Sequence, residues 1–346
     1  MALTRRELFG CGLLGAGAIR AQPGFTPIAR RATVALVTGD ERRANIRRSL
    51  EAIDELIRPR LKGRKSVVIK PNNVSTVRQL AATHADALRG ILDYLEPRWK
   101  GPVFIAESSA GETWQGFENF RYNQVASEYR KQKVTLVDLN EEARYEVIPV
   151  LDAGLHITPV RLAVRLVDPD AFVISAAMLK THNVVIATLG VKNMTLGAPL
   201  HSAPKEMPRW NDKRKYHFGV RSTHYNMFRT AQRMAPSWGV SVIDGYEGME
   251  GNGPASGTPV PSRVAIASTD FVAADRVGVE VMGIDAKWMA YLQYCSDWGV
   301  GQFDLARIDL RGEPIAAVAK KYRLHKDIER ELQWMGPLTD VPPKLG

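Results

Sequence analysis

The patterned part of the chain begins with an apolar run, Ala32–Thr38, that reads as a strand, after which Gly39-Asp40 opens a helix. In that helix Ile46, Leu50, Ile53 and Ile57 recur at helical spacing, with arginines on the other face. Ser66–Lys70 is a short apolar strand stopped by Pro71, and Thr83 is the expected cap of a helix over residues 83–96 with Leu88, Ile91, Leu92 and Leu95 as its buried stripe. Residues 103–106, 134–139 and 171–176 read as further strands. Strands alternating with helices over this length imply an α/β fold, a mainly parallel sheet with helices on both faces. The second half is less regular. Residues 177–221 are rich in loop signals, 222–234 look helical, 240–244 and 263–268 read as strands, 272–282 as a buried helix, and 308–310 as a last edge strand.

Composition changes this picture mainly at the ends. With 346 residues, 45% of them hydrophobic, the chain can bury a large core and is neither disordered nor fibrous. Arg5-Arg6 precede an apolar stretch from Leu8 to Ile19, and Arg20-Ala21-Gln22-Pro23 follow, a pattern that resembles a twin-arginine export signal cleaved after Ala21. The stretch is too short to span a bilayer as a helix, and its glycines at 10, 12, 15 and 17 oppose a helix in water. The expected organisation is a signal over 1–21, a linker over 22–31, an α/β domain over 32–312 and a helical, proline-rich tail over 313–346. The export machinery is then a partner, the location is periplasm or envelope, and no transmembrane span is expected in the mature chain. Removing the signal lowers the formal charge only from +10 to +8. It also takes Cys11 away, so Cys295 is left with no internal disulfide partner and no all-cysteine iron-sulfur cluster can form.

Candidate chemistry collects where strands end, because open parallel sheets bind ligands outside their carboxyl edges. The strand at Ser66 leaves through Lys70-Pro71-Asn72, that at 103 through Glu107-Ser108, and that at 171 through Lys180-Thr181-His182, followed by Lys192-Asn193. The strand at 240 delivers Asp244 to an expected loop containing Glu250, in which Gly245, Gly248, Gly251 and Gly253 free the backbone for close approach to a ligand. Lys70, Lys180 and Lys192 either fix a phosphate or carboxylate or are surface lysines at strand ends. His182 is either a general acid or base or a histidine that pins its loop. Glu107, Asp244, Glu250 and Asp270 are candidate oxygen ligands for a divalent cation such as Mg, or else aspartates and glutamates that cap turns. No HExxH, Walker A or G-x-S-x-G motif is present, and the glycine spacing does not fit a dinucleotide fingerprint. Residues 201–221 interleave basic and aromatic side chains, which behind an export signal suggests a lid, a basic surface facing an anionic envelope, or a solvated loop. It does not suggest nucleic acid as a partner.

Taken in order, Lys70-Pro71-Asn72, Glu107-Ser108, Leu179-Lys180-Thr181-His182, Lys192-Asn193-Met194 with Gly197, Ile243-Asp244, Met249-Glu250-Gly251-Asn252-Gly253-Pro254 with Gly257, Asp270 with Ala273 and Asp275, and Gly299-Val300-Gly301 resemble the domain of unknown function 362 family over residues 32–312. The resemblance implies a shared α/β fold and a shared site but no reaction. Some members of that family also carry ferredoxin-like iron-sulfur segments, and this chain departs from them. The expectation is an enzyme for a small anionic substrate, a phosphate or carboxylate. Lys70, Asn72, Ser108, Lys180, Lys192, Asn193, Gly251 and Gly253 would bind it, while His182, Asp244 and Glu250 carry the chemistry. The alternatives are a non-catalytic envelope binding protein using the same cleft, or a partner subunit of a redox complex.

Overall fold

The computed structural model describes residues 30–337, so the twin-arginine-like stretch lies outside the described residues. Ten strands form one sheet. They are β1 (Ala32–Thr38), β2 (Ser66–Lys70), β3 (Val103–Glu107), β4 (Val134–Asp138), β7 (Ala171–His182), β8 (Ile186–Thr188), β9 (Trp238–Glu250), β10 (Thr258–Val260), β11 (Val264–Ser268) and β12 (Ile308–Gly312). Strands β5 (Tyr145–Leu151) and β6 (Ile157–Ala163) pair separately as an antiparallel ribbon. The main sheet runs β12-β1-β11-β9-β7-β2-β3-β4, with β10 on β9 and β8 on β7. The pairs β12/β1, β9/β7, β7/β2, β2/β3 and β3/β4 are parallel, while β11 is antiparallel to both neighbours.

Alternation along the strands explains the layers. In β2, Val67 and Ile69 enter a core with α1 (Arg42–Glu51), α2 (Asp54–Leu61), α3 (Ala85–Leu95), α4 (Thr113–Asn119) and α5 (Tyr122–Glu128), whereas Val68 enters the opposite core. That second core is closed by α7 (Val220–Met234), α8 (Phe271–Val281) and α9 (Ala290–Asp297), with the inner face of the β5–β6 ribbon. The mainly parallel sheet covered on both faces is therefore present as the hydrophobic pattern implies. Cys295 is buried within the second core, as expected of a small apolar residue.

Three local expectations are corrected. The helix cap is His84, whose Nδ1 accepts from the Asp86 amide at 3.1 Å; Thr83 instead donates to the Ala176 carbonyl and accepts from the Asn72 amide. Strand β7 does not stop near residue 176. All twelve of its residues are buried, because β8 and β9 supply ladder partners for the polar Lys180-Thr181-His182 end. The expected loop after Asp244 is also strand, as β9 continues to Glu250 with β10 beside it. Its glycines serve contact between protein segments. A side chain at Gly248 would strike the Tyr322 hydroxyl, and only Gly251, with φ +73°, uses the left-handed region in this run.

Candidate functional site

Strand order reverses at β2. The chain goes from β2 outward to β3 and β4, then returns to place β7 and β9 on the other side. Neighbouring carboxyl ends diverge at such a switch point and leave a crevice. A cleft of about 350 Å³ lies there, lined by Lys70, Asn72 and Asn73 after β2, Glu107 and Ser108 at the end of β3, and His182 and Asn183 at the end of β7. Lys192 and Asn193 come from the short helix α6 (Gly190–Thr195), whose first two amides donate to the buried Asp275 carboxyl at 2.7 and 2.9 Å. Burial pushes that carboxyl up to about 8.

At the floor, Lys70 Nζ donates to Glu107 Oε1 at 2.7 Å, the Pro71 carbonyl at 2.8 Å and Asn193 Oδ1 at 3.4 Å. An ammonium has three protons, so all of them are used inside the protein. Glu107 in turn accepts from the amides of Asn73 and Ser108. Burial holds Lys70 below its ordinary value, and Glu107 opposes that shift. Asn193 is equally committed, donating to the Lys70 carbonyl and Ser175 Oγ and accepting from Asn72 Nδ2. Gly197 is required here: a Cβ would stand 2.6 Å from Lys70 Nζ and run into the Asn193 carbonyl.

The upper wall is different. Lys192 is 7% exposed, and among the described residues no hydrogen-bond or ion-pair partner meets its Nζ. Burial and the neighbouring Lys70 lower its amine to about 8. Lys213 Nζ donates to the Gly197 carbonyl at 2.8 Å and is lowered by burial to about 7. His182 Nδ1 accepts from the amides of Val184 and Val185, so the ring proton sits on Nε2. His217, whose ring lies 6.4 Å from that of His182, has its Nδ1 against the Lys213 carbonyl, so it donates there and leaves Nε2 as an acceptor. Desolvation lowers both imidazoles, strongly for the buried His182 and less for His217, whose side chain is open to solvent at one side, and Lys192 has the largest charge effect on each.

The cleft thus gathers Lys70, Asn72, Glu107, Ser108, His182, Lys192 and Asn193 from the residues singled out in the sequence. The others lie elsewhere. Lys180 is fully buried and donates to the Ala81 carbonyl, with burial first and Lys192 second holding its amine far below the usual range. Asp244 pairs with Arg42 at 3.1 Å, Glu250 accepts from the Arg323 amide, and Asp270 caps α8 and accepts from the Gln302 amide. Gly251 and Gly253 pack against Arg323 and Thr181 respectively. The four candidate metal carboxylates are therefore not brought together, and among the described residues no group of three or more His, Cys, Asp or Glu is arranged around a common point. His224 is buried against Tyr291 and Trp334, outside the cleft. Sequence reasoning missed Lys213, Arg214 and His217. The signal was the basic, aromatic run at 201–221, which forms a wall of the site.

These features define a class, an α/β protein with a cation-rich cleft at the switch point of a mostly parallel sheet. The chain belongs to the domain of unknown function (DUF362) family, whose model matches residues 67–280. It is similar to the thylakoid-associated protein sll1697 of Synechocystis sp., with 32% identity over 129 residues, 36% of this chain and 36% of that protein. The match thus spans about a third of that relative's length. A crystal structure of a Thermotoga maritima protein covers 62% of this chain and 52% of its own, at 13% identity and a TM-score of 0.39. Among the described residues no helix is long and apolar enough to cross a membrane.

Proposed function

We propose that the protein is an enzyme acting on a small anionic substrate, a phosphate or carboxylate, bound in the switch-point cleft. One observation carries this reading. Lys192 and Lys213 are buried in the cleft lining without a carboxylate partner, exposed Arg214 adds a third cation, and the lining's single carboxylate, Glu107, is already held by Lys70 and two amides. Buried positive charge without a protein counter-ion is costly, and an anionic ligand removes that cost. The chemistry then belongs to the imidazole pair: His182 donates from Nε2, and His217 accepts a proton at Nε2. Asp244 and Glu250, each with its own partner, take supporting roles. The cofactor to test for is Mg, which takes one or two carboxylates together with substrate phosphates, Glu107 being the carboxylate at hand.

The second reading is a non-catalytic binding protein, favoured by the way Val184 and Val185 anchor His182. Calorimetry with inorganic phosphate and acetate, beside a turnover screen of phosphate and carboxylate esters, separates the two. An enzyme loses turnover in His217→Gln and His182→Gln while phosphate affinity stays within a few fold. A binder turns over no ester, and its histidine variants change affinity alone. Failure of both anions to bind refutes the anionic-ligand reading itself.

We also propose export, supported by Arg5-Arg6 and the Leu8 to Ile19 stretch. N-terminal sequencing of protein from the envelope fraction should begin at Gln22, and an uncleaved cytoplasmic chain would refute it. The relative's name associates that protein with thylakoids, a membrane setting in keeping with this proposal.

A further inference from the structure

Four lysines are buried in or beside the cleft, and they differ in what their amines touch. Lys70 is held by three acceptors, Lys180 by the Ala81 carbonyl and Lys213 by the Gly197 carbonyl. Lys192 alone among these has no protein partner within the described residues, yet it is more than nine-tenths buried and lines the cavity. An amine so placed is poorly stabilised as an ammonium and is available as a nucleophile, the condition under which lysines form imines with carbonyl compounds. Resting on the anionic-substrate reading, we propose that the substrate is an anionic carbonyl compound, an oxo acid or a phosphorylated aldehyde or ketone, and that Lys192 condenses with its carbonyl carbon.

The neighbours fit that division of labour. Lys213 and Arg214, from the 201–221 segment of the lining, take the anionic group in this proposal, and Lys192, from α6, takes the carbonyl. In the condensation the neutral Lys192 amine attacks the carbonyl carbon, the C=O π bond opens, and one nitrogen proton passes through His217 Nε2 to the oxygen to give a carbinolamine. The second nitrogen proton then passes to His217 Nε2, and the imidazolium returns it to the departing hydroxyl. The C–O bond breaks, C=N forms and one water leaves, with no net change in protons or oxidation state. His182, in the same cleft lining with its proton on Nε2, is assigned the hydrogen bond to the leaving oxygen. Burial and Lys70 lower the Lys192 amine to about 8, so a usable fraction is neutral near neutral pH.

The test uses glyoxylate as probe, with cyanoborohydride to trap any imine as a carboxymethyl-lysine, read by intact mass and peptide mapping of the full chain. The expected result is one saturable adduct per chain on Lys192, suppressed by inorganic phosphate and lost in Lys192→Arg but retained in Lys65→Arg, a surface lysine paired with Asp170 outside the cleft. Phosphate suppression in the wild type keeps the test valid if Lys192→Arg fails to fold. No adduct at Lys192, with phosphate still binding by calorimetry, overturns the imine and leaves the anion site standing. Labelling spread over surface lysines, with no phosphate binding, overturns both.

Discussion

Glu107→Gln tests the reasoning about the cleft floor most directly. The wild-type pair is 2.7 Å apart with both residues about 1% exposed, so the attraction operates away from water. The substitution preserves shape and leaves Lys70 its contacts with the Pro71 carbonyl and Asn193 Oδ1, but removes the counter-charge. Breaking a buried pair by deleting one member costs roughly 3–5 kcal/mol, because the survivor is an uncompensated buried charge. The pH dependence has a definite sign. Burial already holds Lys70 below 10.5 and Glu107 opposes the shift, so the variant's amine falls further. The unfolded lysine keeps its proton to about 10.4 while the folded amine has lost it, so stability rises with pH by up to about 1.4 kcal/mol per unit in that window. The deficit of the variant is therefore greatest at low pH and narrows as pH climbs from the variant's folded value to the wild-type one. Urea unfolding at several pH values measures it. A deficit within about 0.5 kcal/mol, the range of surface substitutions, or one that widens with pH, would refute the account.

Gly197→Ala should cost about 1–3 kcal/mol and loosen Lys70, since its Cβ collides with the Asn193 carbonyl and Lys70 Nζ; thermal unfolding and crystallography check this. Asp275→Asn should flatten the pH dependence of stability. The folded carboxyl is raised to about 8, so wild-type stability falls as pH rises from the unfolded value toward that point, and the variant lacks this slope in a series of melts. Anion affinity should be constant well below pH 7 and weaken above it by up to about tenfold per unit, because bound anion restores the charge on Lys213, lowered to about 7 by burial; calorimetry in buffers of different ionisation enthalpy reads the proton uptake, and pH-independent affinity would contradict it.

Periodicity alone carried the alternating strands and helices, the two-sided sheet and the edge position of β12, because a strand's face and a helix's stripe are local patterns that burial then enforces. The strand-end rule likewise pointed to Lys70, Glu107, His182 and Lys192. What local pattern could not carry was the length of β7 and β9, whose polar and glycine-rich ends read as loop until β8 and β10 supply ladder partners. Nor could it tell equivalent-looking lysines apart. Lys180 is buried outside the cleft with a carbonyl from a distant segment on its amine, whereas Lys192 lines the cleft without one, and both outcomes are decided by tertiary packing. The same holds for the imidazoles. His182 and His217 acquire opposite tautomers from hydrogen bonds to nearby backbone, but they meet across one cleft only because the sheet brings residue 182 beside the segment containing residue 217.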